Sequence, residues 1–585
     1  MRTRLRRAAL AWTAFFSLLP AAAPSLAQTP FSAEPEVSTG VAPPRPAAKA
    51  SRQMVAAANP IAAQAGLDIL RAGGNALDAA IAIQMMLNLV EPQSSGVGGG
   101  GFLLYYAARD RSLSAYDGRE TAPASATPGM FLAPDGSPFD FIDVAQSGLS
   151  VGVPGALRML EAAHKENGKL PWAKLFEPAI KRAEEGFAVS NRLFRLLESE
   201  QGRMSLIPAA GAYFYDAQGL PKPVGTILRN PALADTFRQI AANGADALYR
   251  GPVAADIAAA VRNAPHHAGG MTEKDLADYR AIKRDPVCGN YRVWRVCGMP
   301  PPSTGGLAVA QTLGILENFD LARLRPDSLE AVHLMSDAYK LAFADRTALV
   351  ADPAFVDVPM ARMLDRAYLN RRAALISPDR AIPGRARPGI EPKRASVEDP
   401  VRGGTSHIVA VDSEGNIVSF TTTIERQFGS GLFVRGFLLN NQLTDFSSHP
   451  EFEGRPTVNR PEPGKRPRST MSPTIVFDAD GKPVMAVGAA GGPYIIAYVT
   501  KTIPRALEWK QDVQAAIAAP NFADRNGPTE LEANTLIVGL EDPLRRMGHE
   551  VEVHPLPGGI QAIVIGANGL QGGADPRREG VAMGD

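Results

Sequence analysis

The chain has few of the residues from which metal centres are built. It contains two cysteines and eight scattered histidines among 585 residues, and no histidine pair has the HExxH spacing or a comparable one. Zinc sites in proteins need three or four Cys, His or carboxylate ligands, usually in short, regular spacings. The sequence therefore predicts no metal site.

Excess charge and long apolar runs are lacking too. The formal net charge is +1, and no basic run occurs beyond the first few residues. Nucleic acids and anionic membranes attract proteins through an excess of positive charge, so we expect neither as a partner. No segment after the N-terminal region approaches the roughly 20 apolar residues of a membrane span.

The first 27 residues have the pattern of a secretory signal peptide. Four arginines precede the apolar run Ala8–Leu19, and the segment ends in the small-x-small sequence Ser25-Leu26-Ala27. The alternative, an uncleaved anchor, is disfavoured because the run is short and is followed by prolines. We expect cleavage after Ala27 and a bacterial periplasmic or secreted protein. Residues 28–50, rich in Pro, Ala and Ser, are predicted to be a disordered lead-in, and residues 571–585 a loose tail.

The two cysteines flank a short β-like segment, "PVCGNYRVWRVC". A turn near Arg292-Val293 would set Cys288 and Cys297 across from each other. An oxidising compartment permits a disulfide between them, but hairpin geometry often orients cross-strand cysteines badly for bonding. The sequence leaves both states open.

Two familiar motifs occur in the wrong structural context. Gly96–Gly101 matches GxGxxG, but a dinucleotide site needs strand, glycines and helix in that order, and here the order is helix, glycines, strand. Ser150 lies in a GxSxG match, Gly148–Gly152. A nucleophile elbow needs a strand directly before it and a helix directly after it, and neither is predicted. We assign no function to either motif.

A hairpin is predicted within "GGTSHIVAVDSEGNIVSFTTT", Gly403 to Thr423. Both halves are rich in β-branched residues, and the Ser-Glu-Gly-Asn sequence between them is a turn signal. Pairing about Glu414 would set Thr405 opposite Thr423, to within one residue of register. Threonine favours strands in any case, so this stretch alone does not separate a structural role from a catalytic pair of hydroxyls.

Nine sequence motifs, in order from residue 72 to residue 495, together decide between these interpretations. They are AGGNALDAAIA, VEPQSSGVGGGGFLL, YDGRETAP, GVPG, MPPPSTGG, GGTSHIVAVDSEGN, LLNNQLTDF, STMSPTIV and GAAGGPYI. In this set the chain resembles the γ-glutamyltransferases (γ-glutamyltranspeptidases) of the N-terminal-nucleophile hydrolase superfamily. Each motif is weak alone, but their number and order make the resemblance specific.

The resemblance implies an α+β fold, a four-layer αββα sandwich built from two fragments of one self-cleaved chain. Cleavage between Gly404 and Thr405 would leave residues 51–404, with their lead-in, as the large subunit and residues 405–585 as the small one. The Thr405 hydroxyl would then be the nucleophile and its new α-amino group the base. An α-amino pKa near 8 suits that role. No cofactor is implied.

The resemblance also assigns roles to individual side chains. Thr423 resembles the threonine that orients the nucleophile, and Arg119 the arginine that binds the substrate α-carboxylate. Asp445, with Gln442, resembles the acid that binds the α-ammonium group. The remaining assignments are the hydroxyl pair beside the carboxylate, Ser469 and Thr470, and the oxyanion-hole glycines, Gly491 and Gly492.

Three positions depart from the family pattern. Glu425 stands where many relatives carry asparagine, and it adds a carboxylate near the expected ammonium site. Ser406 replaces a frequent threonine and keeps the hydroxyl. The loop from Ser447 to Pro467, which forms a lid in some relatives, holds no tyrosine and only one other aromatic, Phe452, so the balance between hydrolysis and transfer stays open.

The function expected from the resemblance is cleavage of γ-glutamyl amides such as glutathione, with transfer of the acyl group to water, an amino acid or a peptide. Two alternatives remain. The same machinery can serve another acyl group, as in glutaryl (cephalosporin) acylases or capsule polyglutamate transferases. A non-maturing pseudoenzyme that only binds ligands is the other.

Overall fold

The structure, a computed structural model, describes residues 45–396 and 403–585. The predicted signal peptide and its cleavage site after Ala27 lie outside the described residues. Among the helices that the structure describes, none combines the length and apolar character needed to cross a membrane.

Two seven-stranded antiparallel sheets form the centre of the fold. Neighbouring strands of the first sheet are, in order, Ala48–Ala50, Gly569–Ala574, Ile560–Gly566, Pro483–Ala489, Thr474–Phe477, Trp294–Gly298 and Val287–Tyr291. Those of the second are Val581–Gly584, Met54–Ala57, Thr405–Val411, Ile417–Thr423, Gly100–Ala107, Ser112–Gly118 and Ile282–Arg284. Both sheets combine strands from before and after residue 404, so the predicted fragments interleave within each sheet.

Helices cover the outer face of each sheet. The second sheet is covered by Pro60–Arg71, Ala76–Val90 and Ala156–Asn167, and the first by Gly305–Leu316, Ile495–Leu507 and Val513–Ala518. Behind these, Glu177–Glu185 packs on Ala76–Val90, and Leu329–Leu349 packs on Gly305–Leu316. Strands in the middle of the sheets are covered on both faces, which explains why Thr405–Val411 and Ile417–Thr423 are buried at every residue. The predicted αββα sandwich is confirmed.

Shorter elements complete the described chain. The other helices are Phe141–Ala145, Asn191–Ser199, Gln201–Met204, Pro208–Phe214, Pro231–Asn243, Asp246–Tyr249, Gly251–Arg262, Glu273–Asp278, Met360–Met363, Arg366–Ala373 and Glu541–Arg546. The other strands are Phe187–Ala188 with Ile227–Leu228, Phe433–Val434 with Phe437–Leu438, Glu451–Phe452 with Arg455–Pro456, and the trio Phe522–Asp524, Thr529–Glu532 and Val551–His554.

Both motifs set aside in the sequence have structural roles. The glycines of Gly96–Gly101 follow helix Ala76–Val90 and lead into strand Gly100–Ala107, which is the reverse of a dinucleotide-binding unit. Ser150 is fully buried, and its hydroxyl donates a hydrogen bond to the Ser147 carbonyl at 2.8 Å. A serine held in this way is not an exposed nucleophile.

The cysteine pair is bonded. Val287–Tyr291 and Trp294–Gly298 form a hairpin in which Cys288 lies directly opposite Cys297, and a disulfide joins the two. The hairpin turns at Arg292-Val293, as predicted, and the structure selects the disulfide from the two states that the sequence left open.

The structure corrects both predictions of disorder within the described residues. Ala48–Ala50, assigned to the lead-in, pairs with Leu570–Gly572. Val581–Gly584, assigned to the tail, pairs with Met54–Ala57, and the Asp585 carboxylate binds the Arg71 guanidinium at 2.6 Å. These segments are short and weakly apolar, so their structure comes from partners far away in the sequence rather than from local preference.

Candidate active site

The hairpin brings two threonine hydroxyls together in the middle of the second sheet. Thr405 pairs with Thr423 in register, and the Thr405 hydroxyl donates a hydrogen bond to the Thr423 hydroxyl oxygen at 3.3 Å. Both side chains are buried. The predicted register is confirmed, and it places the hydroxyl pair at the open end of the hairpin.

The same pair contacts the predicted cleavage site. In the uncut chain, the Thr423 hydroxyl donates to the Gly404 carbonyl oxygen at 2.6 Å and accepts from the Glu425 amide at 2.8 Å. A hydrogen bond to a carbonyl oxygen polarises the carbonyl toward nucleophilic attack. Gly404 is also required sterically, because a β-carbon there would lie 2.3 Å from the Glu425 carbonyl oxygen.

A cation and an anion face the same cavity as the hydroxyls. Arg119, fully buried, follows strand Ser112–Gly118, and Asp445 ends the short turn that begins at Gln442. Arg119 Nη2 lies 2.5 Å from Asp445 Oδ2, and Gln442 Nε2 donates to the same oxygen at 2.8 Å. Because the backbone carbonyls of Pro467 and Arg468 also accept from this guanidinium, it is held in one orientation.

Glu120 is a site residue that the sequence reasoning missed, although it lies in the quoted motif YDGRETAP. Its carboxyl is fully buried 3.6 Å from Arg119 Nη1. Burial raises the pKa of Glu120 to about 8, because the charged form is poorly solvated there. Glu120 is therefore mostly neutral at pH 7. The charged partner of Arg119 is then Asp445 rather than Glu120.

Glu425 is anchored in the wall of the cavity. Asn441 Nδ2 donates to Glu425 Oε2, and the Thr444 hydroxyl lies 3.5 Å from the same oxygen. Glu425 adopts a φ of 78°, which is uncommon for a residue other than glycine. This backbone conformation and the amide contact fix the carboxylate in the cavity that also holds Asp445.

The two remaining predicted elements are joined by a hydrogen bond. The Thr470 hydroxyl donates to the Gly492 carbonyl at 2.8 Å, and the Ser469 hydroxyl accepts from the Met471 amide at 3.1 Å. Gly491 and Gly492 form the turn that enters helix Ile495–Leu507. Because the first amide groups of a helix lack intrahelical partners, this turn suits the stabilisation of a developing negative charge.

The cavity unites the residues predicted from separate motifs. Its lining includes Thr405, Thr423, Glu425, Arg119, Gln442, Asp445, Ser469, Thr470, Gly492, Gly403, Arg346, Arg468, Met471, Pro493 and Ile495. All eight predicted catalytic and binding residues other than glycine line this cavity, and so does Gly492. Gly491, Gly404 and the disulfide cysteines are not part of the lining. Arg346 and Arg468 are further members that the sequence reasoning did not identify.

One group of metal-binding residue types occurs among the described residues. Ligand atoms of His333, Asp337 and His549 lie within 4.8 Å of one another, all buried. The ring nitrogens already have partners: His333 Nδ1 and His549 Nε2 are 2.7 Å apart, and His333 Nε2 contacts the Ser377 carbonyl. None of these residues lines the cavity.

Substitution of Gly491 tests whether the Gly491-Gly492 turn contributes to catalysis. Its φ is 129°, and an added β-carbon would lie 2.8 Å from the Tyr498 ring, so Gly491→Ala must shift the backbone at a cost of about 1–3 kcal/mol. We expect kcat to fall by at least tenfold, with a smaller change in KM. Steady-state kinetics of the mature variant measure this. An unchanged kcat would show that the turn has no role in stabilising the transition state.

Comparison with known proteins agrees with this arrangement. The sequence profile of the family described as Gamma-glutamyltranspeptidase matches residues 62–585. The chain belongs to this family. A glutathione hydrolase proenzyme from Bacillus subtilis (strain 168) is 37% identical over 546 residues, covering 91% of both chains. One from Escherichia coli (strain K12) is 36% identical over 594 residues, covering 98% of both.

A solved structure extends the comparison to a second member with a different activity. The cephalosporin acylase from Bacillus halodurans superimposes with a TM-score of 0.80 at 30% identity, covering 93% of this chain and 98% of its own. Family membership therefore establishes an enzyme fold with N-terminal-nucleophile architecture. Family membership alone does not fix the substrate, since glutathione hydrolase proenzymes and a cephalosporin acylase resemble the same chain.

Proposed function

We propose that this protein is a self-processing γ-glutamyltransferase and glutathione hydrolase that acts through a γ-glutamyl ester on Thr405. The observation that carries the proposal is the Arg119–Asp445 pair in the same cavity as the Thr405 hydroxyl. A guanidinium and a carboxylate together match the carboxylate and ammonium of an α-amino acid head group. A plain acyl chain would leave Asp445 without an ammonium partner.

Maturation starts with the hydroxyl pair. The Thr405 oxygen attacks the Gly404 carbonyl carbon, its proton passes to the departing Thr405 nitrogen, and an ester replaces the peptide bond. Water then hydrolyses the ester, releasing the Gly404 carboxylate and restoring the Thr405 hydroxyl. The Thr423 hydroxyl, which already donates to the Gly404 oxygen, stabilises the negative charge that develops there.

Catalysis repeats this chemistry on the substrate. The new α-amino group of Thr405 accepts the hydroxyl proton, and the oxygen attacks the γ-carbonyl of the donor. The leaving amine takes the proton, and a γ-glutamyl ester remains. Water or the amine of an amino acid or peptide then attacks the ester, while the Gly491-Gly492 turn supports the oxyanion in both steps.

Two further parts of the proposal concern the mature protein. Fragments of residues 28–404 and 405–585 stay together as a heterodimer, because strands of both alternate within each sheet. Export to the bacterial periplasm or medium follows from the predicted signal peptide, and the Cys288–Cys297 disulfide is consistent with an oxidising compartment.

A matched pair of chromogenic anilides tests the donor. γ-Glutamyl and glutaryl anilides differ only in the α-amino group, so their kcat/KM ratio measures what the ammonium contributes. A desolvated charge pair of this kind contributes about 2–5 kcal/mol, and we expect at least a 30-fold preference for γ-glutamyl. Equal rates, or a preference for glutaryl, would contradict a γ-glutamyl specificity.

The second candidate function is an acylase for another acyl group, and Glu425 is the observation that favours it. A carboxylate replaces the asparagine common among relatives, in a cavity shared by Thr405 and Asp445. The structural likeness to a cephalosporin acylase supports the same candidate. Under the main proposal, Glu425 instead adds negative charge beside the substrate ammonium.

Replacing Glu425 separates the two interpretations. Glu425→Gln keeps the shape and removes the charge; we expect kcat/KM for the γ-glutamyl anilide to fall about tenfold and that for the glutaryl anilide to stay the same or rise. Measuring both substrates on one preparation corrects for the fraction of active enzyme. A fall for the glutaryl substrate alone would support the acylase.

A further inference from the structure

Arg578 contacts the backbone of the nucleophile. Its Nη1 donates a hydrogen bond to the Thr405 carbonyl oxygen at 2.8 Å, and the side chain is 3% exposed. It lies in the stretch DPRREG, within the segment predicted to be a loose tail. No motif used in the sequence analysis includes it.

The surroundings of Arg578 connect it to the glycine turn. Its backbone amide donates to the Asp575 carbonyl at 3.2 Å, and Asp575 Oδ2 accepts from the Gly559 amide at 2.9 Å. The Gly559 carbonyl accepts in turn from the amide of Ala490, the residue before Gly491. A β-carbon on Gly559 would lie 3.0 Å from Arg578 Nε, so the guanidinium packs directly on this backbone.

The neighbouring arginine has a different role. Arg577 binds Glu532 through Nε at 2.5 Å and Asp575 through Nη1 at 3.1 Å, and neither carboxylate lines the cavity. The Arg577 side chain thus binds carboxylates, one of which also accepts from the Gly559 amide, whereas the Arg578 guanidinium donates to the Thr405 carbonyl. The two arginines are adjacent and buried, and they form a natural pair for comparison.

Cleavage changes what Arg578 does to Thr405. In the precursor the Thr405 nitrogen is an amide, which does not titrate. In the mature protein it is an α-amino group with an ordinary pKa of about 7.7–8.0, and only its neutral form can accept the hydroxyl proton. A fixed cation on the carbonyl of the same residue disfavours the ammonium form and so lowers the pKa of the α-amino group, because two positive charges held close together repel each other.

Other charges around Thr405 act in both directions. The cavity contributes Arg119, Arg346, Glu425, Asp445 and Arg468. The Ser406 hydroxyl donates to Glu91, whose carboxylate lies 3.5 Å from Arg192 Nε, and Glu579 accepts from the Arg192 amide. Asp575 and Arg577 flank Arg578. The carboxylates favour the ammonium form and the guanidinium groups oppose it. Arg578 is the cation that is hydrogen-bonded to Thr405 itself.

We propose that Arg578 is a positioning residue that fixes Thr405 and keeps the new α-amino group neutral, so that it works as the base near neutral pH. The inference rests on the proposed function, because it needs Thr405 as the N-terminal nucleophile. It connects the last residues of the chain with the reaction centre and gives Arg578, in the stretch DPRREG, a positioning role in the reaction.

The pH dependence of kcat/KM for the γ-glutamyl anilide tests the role. The acidic limb is the part of the profile where kcat/KM falls as the pH is lowered, and we expect Arg578→Gln to move its midpoint upward by about one pH unit or more. At pH values below this midpoint, kcat/KM should be roughly tenfold lower than in the wild type. At alkaline pH it should recover. Arg578→Lys keeps a cation, and its limb should stay near that of the wild type. Arg577→Gln, the matched control, should lower stability without moving the limb.

Several results would overturn the role. One is an Arg578→Gln limb at the wild-type position; another is an equal shift in Arg578→Lys or in Arg577→Gln. If Arg578→Gln fails to fold or to cut itself, the α-amine of the wild-type enzyme is titrated instead. Its rate of acetylation is measured against pH by peptide mass spectrometry, and we expect a pKa clearly below about 7.7. A value of about 7.7 or more, the ordinary range of an α-amino group, contradicts the inference.

Failure of the proposed function is distinguishable from failure of this inference. A wild-type protein that stays in one piece, or whose small fragment does not begin at Thr405, removes the basis of both. A mature, active wild-type enzyme whose Arg578 variants show unshifted limbs leaves the proposed function intact and removes only the role of Arg578.

Discussion

We expect the Thr405→Ala protein to remain one uncut chain with no measurable turnover. Under the proposed function the hydroxyl of Thr405 is the attacking group in both self-cleavage and catalysis, and alanine supplies no nucleophile. Loss of a nucleophile typically lowers rates by about 10⁴-fold or more. A denaturing gel shows the number of chains, and an anilide assay shows the activity.

Two neighbouring substitutions control for folding. Thr405→Ser keeps a hydroxyl and should still mature, at a reduced rate. Thr422→Val removes a buried hydroxyl on the same hairpin, one that donates to the Gly100 carbonyl at 3.3 Å, and should mature normally. Two fragments from Thr405→Ala would show that another group cuts the chain and that Thr405 is not the nucleophile.

Arg119→Lys has the second-largest expected effect. Lysine keeps the charge but loses the planar fork that binds a carboxylate through two nitrogens, and it cannot reproduce the contacts to Asp445, Pro467 and Arg468. We expect kcat/KM for the γ-glutamyl anilide to fall by about 10²–10³-fold. Steady-state kinetics of the purified, cleaved variant measure this fall.

A matched arginine shows whether the loss is specific. Arg284 binds Asp117 at 2.7 Å and does not line the cavity, so Arg284→Lys should reduce stability with kcat/KM within about threefold of wild type. The Arg119→Lys chain should still cut itself, since among the described residues the Arg119 guanidinium hydrogen-bonds to Asp445, Pro467 and Arg468 rather than to Gly404 or Thr405. Equal kinetic losses in both variants would refute the assignment of Arg119 to the donor carboxylate.

The catalytic hairpin was predictable because its determinants are local. An alternating β-branched pattern on both sides of a Ser-Glu-Gly-Asn turn fixes the register by counting residues, and the structure pairs Thr405 with Thr423. The αββα layers, in contrast, were expected from the family resemblance and not from local patterns.

Other parts of the site were not predictable from local sequence. Arg119 and Asp445 are 326 positions apart, so only the resemblance brought them together. Glu120 and Arg578 are charged residues in polar stretches, which normally indicates exposure; their burial depends on strands contributed by distant segments. The same reason explains the misassigned ends, where Ala48–Ala50 and Val581–Gly584 acquire structure from their partners.

The central claim is that Thr405 becomes a chain end and carries the acyl group. The most direct measurement is peptide mass spectrometry of the wild-type protein, acid-quenched during turnover of a γ-glutamyl donor. The account predicts a small fragment that begins at Thr405, with a hydroxylamine-labile γ-glutamyl adduct on its first residue. An intact chain, a fragment with a different first residue or an adduct elsewhere would contradict it.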